Sequence, residues 1–279
     1  MTIRRRRTAL YMPASNARAI AKARTLACDV VILDLEDAVA PEEKARARDR
    51  VVAEVGAGGF GTRELVVRIN GLDTQWGMDD AAAVRAIGAD AVLVPKVSGV
   101  DDLMAARAVL GEDGPAIWAM IETCAGILAL PALSAAANAA RLAVMVAGTN
   151  DLAKEMRCRP GADRMPLVPA LAGIVMAARA AGIAALDGVC NAIDAPDRLA
   201  AECAQGAMLG FDGKTLIHPA QIGAAEAAFG PSAEELAWAR AVIAAFAVPD
   251  AADKGAIRLD GQMVERLHLA EAEAMVAEA

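Results

Sequence analysis

The sequence is poor in aromatic residues and in histidine, and it has no long uninterrupted apolar stretch. Each shortage removes a class of function. Aromatics make up 3% of the 279 residues, too few to build a stacking surface for single-stranded nucleic acid. The net charge of -8 opposes non-specific binding to DNA or to anionic membranes. The basic run at 4–7 has the look of a signal-peptide start, but the segment after it is short and carries Pro13 and Asn16, so it makes a poor export signal. No apolar stretch reaches ~18 residues without a charge or a helix breaker, so no membrane span is expected. The two histidines, His218 and His268, are too few for a His-rich zinc centre. The five cysteines are odd in number, widely spaced and without a Cys-x-x-Cys pair, which fits a reduced, cytoplasmic protein. Cys124, two residues after Glu122, is expected to pack rather than react.

What is abundant is Ala, Val, Leu and Ile. Hydrophobic residues reach 56%, enough for a sizeable core in one large α/β domain or two small ones. Apolar runs that read as strands buried on both faces fall at 8–13, 29–37, 64–70, 91–97, 116–123, 142–151, 184–190 and 207–215. Helical patterns lie between them: 16–27 with Ser15 as N-cap, 42–55 opened by Pro41, 78–87, 100–110, 126–137, 166–181 and 196–205. Eight strand-helix units predict a closed (β/α)8 TIM barrel over 1–230. An open doubly wound sheet is the weaker alternative, because no Gly-x-Gly-x-x-Gly follows the first strand. A C-terminal helical extension, 231–279, completes the chain. It comprises a helix at 232–247 with a Ser232/Glu235 capping box, a loop at 248–261 and a helix at 263–279. It packs on its own barrel or on a neighbouring subunit.

The candidate chemistry lies at the carboxyl ends of the strands, where barrel active sites are built. Glu122 and Asp151 close the fifth and sixth runs. Two carboxylates aimed at one spot repel unless a proton or a cation sits between them, so they are the candidate metal ligands. An oxygen-only site completed by waters and substrate favours Mg²⁺, with Mn²⁺ as an alternative, over Zn²⁺. Asp34, Glu36 and Asp37 crowd the end of the second strand, where one of them orients a metal-bound water or caps the next helix. Asp34 and Glu36 are read on one face of that strand and Asp37 on the other or in the following loop. Arg68 lies inside an apolar strand, where a charge needs a partner. It either forms a structural ion pair or grips a substrate carboxylate. Lys96 points to the same end, as a supporting ion pair or as part of the site's electrostatics.

These residues sit in stretches that resemble the citrate lyase β-subunit-like enzymes of the HpcH/HpaI aldolase group, malyl-CoA lyases included. The matching stretches are Leu10-Tyr11-Met12-Pro13-Ala14-Ser15-Asn16, Ile32-Leu33-Asp34-Leu35-Glu36-Asp37-Ala38-Val39, Val67-Arg68-Ile69-Asn70, Val94-Pro95-Lys96, Ile121-Glu122-Thr123, and Gly210-Phe211-Asp212-Gly213-Lys214 with Ile217-His218-Pro219 and Gln221. The resemblance implies a TIM barrel assembled as trimers or hexamers and a substrate that is a CoA thioester of a small hydroxy acid. It implies that Arg68 binds the substrate carboxylate and that Glu122 and Asp151 hold Mg²⁺. Malyl-CoA lyases carry a C-terminal Met-Ile-Asp whose Asp enters a neighbour's site as acid/base. Here Met263-Val264-Glu265 stands in that place, one methylene longer. Arg18, Lys22 and Arg24 are candidates for the CoA phosphates. The implied reaction is Mg²⁺-dependent C–C cleavage of a 3-hydroxyacyl-CoA to acetyl-CoA or propionyl-CoA plus a 2-oxo acid such as glyoxylate. The alternatives are a malyl-CoA thioesterase and a citryl-CoA lyase-like subunit of a larger complex.

Overall fold

The structure, a computed structural model, describes residues 4–248, 251 and 254–278. These form two compact units, one spanning 6–226 and the other built on 227–279.

The first unit is a closed parallel barrel in strand order β1 to β8. Its strands are β1 (Thr8–Pro13), β2 (Val30–Asp34), β3 (Glu64–Arg68), β4 (Ala91–Val94), β5 (Ala116–Ile121), β6 (Leu142–Ala147), β7 (Ala184–Asp187) and β8 (Gly213–Leu216). β8 pairs back onto β1, Thr8 opposite Lys214. Alternate strand residues fill the interior, among them Ala9, Tyr11, Ile32, Val66, Leu93, Trp118, Val144 and Leu186. The interior is therefore a packed core, as in other barrels of this size.

Most strands stop short of the apolar runs that mark them. Leu35, Ile69 and Val97 lie just past β2, β3 and β4 and are fully buried. Loops at a barrel mouth are covered too, so the run outlasts the strand. The eighth run is split: its first part ends the helix Pro196–Leu209, which Gly210 terminates at φ 93, and the strand begins only at Gly213. Asn16, not Ser15, caps the first helix, Ala17–Ala23, accepting from Ala19 N–H at 3.1 Å. The pattern at 126–137 becomes two helices, Cys124–Leu128 and Leu130–Ala140. Among the described residues no helix is long and apolar enough to cross a membrane.

In the second unit the helix Ala233–Phe246 has the expected capping box, Ser232 with Glu235. The expected loop at 248–261 instead contains β9 (Ala256–Leu259), paired antiparallel with β10 (Gln262–Glu265). Asp260 and Gly261 join the two strands, both at positive φ, as a two-residue Asp-Gly hairpin turn demands. The last helix consequently begins at Arg266 rather than 263, and Glu265 ends a strand. Val264 packs with Ala239, Val242, Phe246 and Ala272 as this unit's own core.

Candidate active site

A cavity of about 340 Å³ opens at the carboxyl ends of the barrel strands. Its lining includes Tyr11 of β1, Asp34 of β2, Arg68 of β3, Met120 of β5, Glu122 just past β5 and Asp151 in the first turn of the helix Thr149–Glu155. Parallel strands bring all of these to one rim, although 140 positions separate Tyr11 from Asp151 in sequence.

Arg68 is buried and fully engaged on one edge. Its Nε donates to Asp34 Oδ1 at 2.7 Å and its Nη2 to Asp34 Oδ2 at 2.6 Å. The Tyr11 ring lies against the guanidinium, 4.8 Å from centroid to Cζ. Nη1 is the nitrogen Asp34 leaves over. It faces Glu36 Oε2 at 2.8 Å, an ion pair rather than an aligned hydrogen bond. The ion-pair reading of Arg68 thus describes all three of its nitrogens, and Nη1 also lies 3.7 Å from Asp37 Oδ2 and 3.9 Å from Met120 Sδ, two residues of the cavity lining.

Asp34 also accepts from the backbone N–H groups of Glu36 and Ala38. With four donors on two oxygens, Asp34 has no open acceptor for a reacting proton, so its part is to position Arg68 and the β2 loop. Glu36 does not share a strand face with it, because β2 ends at Asp34. Glu36 Oε1 accepts from Lys96 Nζ at 2.7 Å. Asp37 lines the cavity and its side chain is 67% exposed, the freest of the three acids. Lys44 holds this loop from behind. Its Nζ donates to the carbonyls of Leu35 and Glu36 and to Asn70 Oδ1, while Asp80 accepts from Asn70 and from Arg48. Burial pushes the Lys44 ammonium below its ordinary pKa.

Lys96 touches three acids. Its backbone N–H donates to Glu122 Oε1 at 2.8 Å, and its Nζ lies 3.6 Å from Asp151 Oδ2 as well as against Glu36. It adopts φ 52, an uncommon conformation for a residue with a Cβ. Glu122 is 4% exposed. Its carboxyl is pushed up to about 7, chiefly by burial and then by the Glu36 and Asp151 carboxylates, against the pull of the Lys96 N–H and ammonium. Burial also raises the Tyr11 phenol well above its ordinary value. Gly148 lets the Glu122 side chain pass, for a Cβ there would sit 2.3 Å from Glu122 Cβ and 2.5 Å from its Oε2.

Glu122 and Asp151 line one cavity with only partial compensation of their charge. Among the described residues no group of three or more His, Cys, Asp or Glu is arranged to hold a metal. The protein therefore offers two carboxylates and leaves other positions to water and substrate. Such a donor set fits a hard ion that keeps several waters, Mg²⁺, and not Zn²⁺.

Two sequence-derived candidates of the barrel unit do not line this cavity, and a third belongs to the second unit. Arg18 is exposed in the first turn of the helix Ala17–Ala23 and does not line the cavity. Arg24 is taken up by Glu54 and the carbonyl of Gly58, so it is not free for a phosphate. Glu265 belongs to the second unit, where its backbone N–H donates to His268 Nδ1 at 2.9 Å. A buried network escaped the sequence reading altogether. Lys214, fully buried, donates to Asp187 Oδ2 at 2.9 Å, and Arg164 Nη1 donates to both Asp187 oxygens. Asp187 also accepts from Gly188 N–H, and its carbonyl accepts from the Thr215 hydroxyl, a cavity-lining residue. The signal available was Asp187 and Lys214 inside otherwise apolar strands, the same signal that singled out Arg68.

Residues 7–219 match the HpcH/HpaI aldolase/citrate lyase family. A (3S)-malyl-CoA thioesterase of Cereibacter sphaeroides is 46% identical over 273 residues, 98% of this chain and 94% of that one. The L-malyl-CoA/beta-methylmalyl-CoA lyase of the same species is 32% identical, over 98% of this chain and 94% of that one. Among solved structures, CitE of Mycobacterium tuberculosis in complex with magnesium, acetoacetate and coenzyme A superposes with a TM-score of 0.79 at 31% identity. That match covers 98% of this chain and 97% of the other.

Proposed function

We propose, since the chain belongs to the HpcH/HpaI aldolase/citrate lyase family, that it is a Mg²⁺-dependent enzyme acting on a malyl-CoA-type thioester. The observation that carries this is the meeting of Arg68, Glu122 and Asp151 on one cavity. Hydrolysis of the thioester is the reaction we favour, because the 46% identity to a malyl-CoA thioesterase extends over nearly the whole chain.

At about 340 Å³ the cavity suits a small acid, near the low end for ligand sites, with the CoA portion lying outside. The malyl carboxylate lies against Arg68 Nη1, the one guanidinium nitrogen not bound by Asp34. Glu122 and Asp151 would hold Mg²⁺, which when bound would supply Lewis-acid polarisation of a substrate oxygen. Asp37, open to the cavity, accepts a proton from water as the water oxygen bonds to the thioester carbon. The C–S bond breaks and the CoA thiolate takes up a proton, leaving malate and free CoA.

C–C cleavage is the second reading, supported by the 32% identity to a malyl-CoA lyase over the same length. The hydroxyl proton passes to Asp37 as the bond to the thioester α-carbon breaks, releasing glyoxylate, and the acetyl-CoA enolate then needs a proton. Glu265 of a neighbouring copy in a homotrimer would deliver it. Purified protein incubated with malyl-CoA and Mg²⁺ tests both. Malate plus free CoA supports hydrolysis, and glyoxylate plus acetyl-CoA supports cleavage. Failure of the wild type to form any of these products would overturn both and leave a non-catalytic acyl-CoA-binding barrel, and full activity in Glu122→Gln would remove Glu122 from the site.

A further inference from the structure

Tyr11 lines the cavity, and among the described residues its hydroxyl has no hydrogen-bond partner. The residue is 9% exposed, points into the barrel from β1 and lines the cavity beside Arg68. Its hydroxyl oxygen is shielded from solvent and makes no hydrogen bond within the described chain. A few other buried side-chain polar atoms share that condition, on Arg7, Glu36, Arg107 and Trp118, but none of those residues lines the cavity. Burying an unbonded hydroxyl costs stability, and Phe would fill the same space without that cost. The ring alone is enough to support the guanidinium, which packs on its face. The hydroxyl thus has no structural task among the described residues, and it belongs to a residue that lines the cavity beside Arg68.

We propose that the Tyr11 hydroxyl is a substrate-binding donor. It gives a hydrogen bond to a carboxylate oxygen of the small acid that Arg68 Nη1 also binds, so the site recognises that carboxylate from two sides. This role rests on the proposed function, in which the acid portion of the thioester enters this cavity. Tyr11 adds specificity to Arg68's charge: a guanidinium attracts any anion, whereas a hydroxyl fixed in the cavity lining selects one with an acceptor oxygen at a set place.

Tyr11→Phe isolates the hydroxyl, since the ring and its contact with Arg68 remain. Calorimetry with Mg²⁺ and either glyoxylate or malate should show the variant binding about 10-fold more weakly or worse, the usual effect of losing a hydrogen bond to a charged group. Its ligand-free melting temperature should stay level or rise. Tyr11 is the only tyrosine of the chain, so ring-labelled tyrosine gives a single NMR signal, which should shift when the acid is added. Equal binding by wild type and variant, or a melting temperature several degrees lower, would overturn the role of Tyr11 while leaving the proposed function in place. Failure of the wild type to bind either acid would overturn that function, and the role of Tyr11 with it.

Discussion

Arg68 and Asp34 face each other as a closed fork, with Nε and Nη2 at 2.7 and 2.6 Å from the two carboxylate oxygens. The pair lies on opposing positions of β2 and β3, since Asp34 is in register with Arg68. The register aligns the fork, and Nη1, which faces Glu36, is the one nitrogen that Asp34 does not bind. Asp34→Asn removes the charge but keeps the shape, leaving a buried guanidinium without its main partner. Its unfolding free energy should fall by about 3–5 kcal/mol, the range for breaking a buried pair from one side. Urea denaturation measures this. A loss under ~1 kcal/mol would show that Glu36 alone compensates Arg68.

The Glu122 carboxyl gives the metal-free protein a pH signature. Its ordinary value is 4.5 and the fold raises it to about 7, so the folded state holds this proton more tightly than the unfolded chain. The stability that the proton lends is complete below about 4.5 and is lost as pH rises through about 7. Glu122→Gln mimics the protonated form at every pH. In the presence of chelator its stability advantage over wild type should therefore grow between pH 4.5 and 7 and then level off, at on the order of 3 kcal/mol. Added Mg²⁺ should reverse the ranking at pH 8 by stabilising wild type alone. A difference independent of pH would remove the burial argument for this carboxyl.

Gly148 carries a steric prediction. Its place beside Glu122 leaves no room for a methyl group. Gly148→Ala should keep the barrel folded, since Gly148 lies past the end of β6, but push Glu122 away from Asp151. Mg²⁺ affinity and activity should each drop by at least ~10–100-fold, given the sensitivity of reacting geometry to displacements of ~1 Å. Unchanged Mg²⁺ affinity by calorimetry would count against Glu122 as a ligand.

Lys96 bridges Glu36 and Asp151 with a half-exposed ammonium. Lys96→Met should cost more than the ~1 kcal/mol of an exposed pair, because it takes the Oε1 donor from a Glu36 side chain that is 9% exposed. It removes a positive charge beside two proposed ligand carboxylates. The variant should bind Mg²⁺ more tightly and anionic substrate more weakly, with the two changes read separately by calorimetry and by KM. Weaker Mg²⁺ binding would mean that the Lys96 side chain holds Asp151 in place rather than competing for it.

Much of the architecture was legible because barrel strands are buried on both faces and read as apolar runs at nearly regular intervals. Their ends were less legible. The runs at 29–37 and 91–97 continue past the strands because the barrel-mouth loops are covered as well. The hairpin at Ala256–Leu259 and Gln262–Glu265 was missed, although Asp260-Gly261 is a strong turn signal, because the surrounding Asp and Gly made the segment resemble an ordinary loop. Arg68 stood out as a charge in a strand, whereas Tyr11 did not, since a tyrosine in an apolar strand looks like core until its hydroxyl is found without a partner.

The order of residues along the chain determined that eight buried strands would alternate with helices, and that acids and a guanidinium would follow several of them. Period, composition and charge are local properties, and each strand displays its own. Which nitrogens of Arg68 are consumed, how far burial lifts Glu122, and how Lys96 comes to touch three acids were decided only by closure of the barrel. Those outcomes depend on register between strands tens of residues apart and on the solvent each group loses, and neither quantity belongs to any single segment.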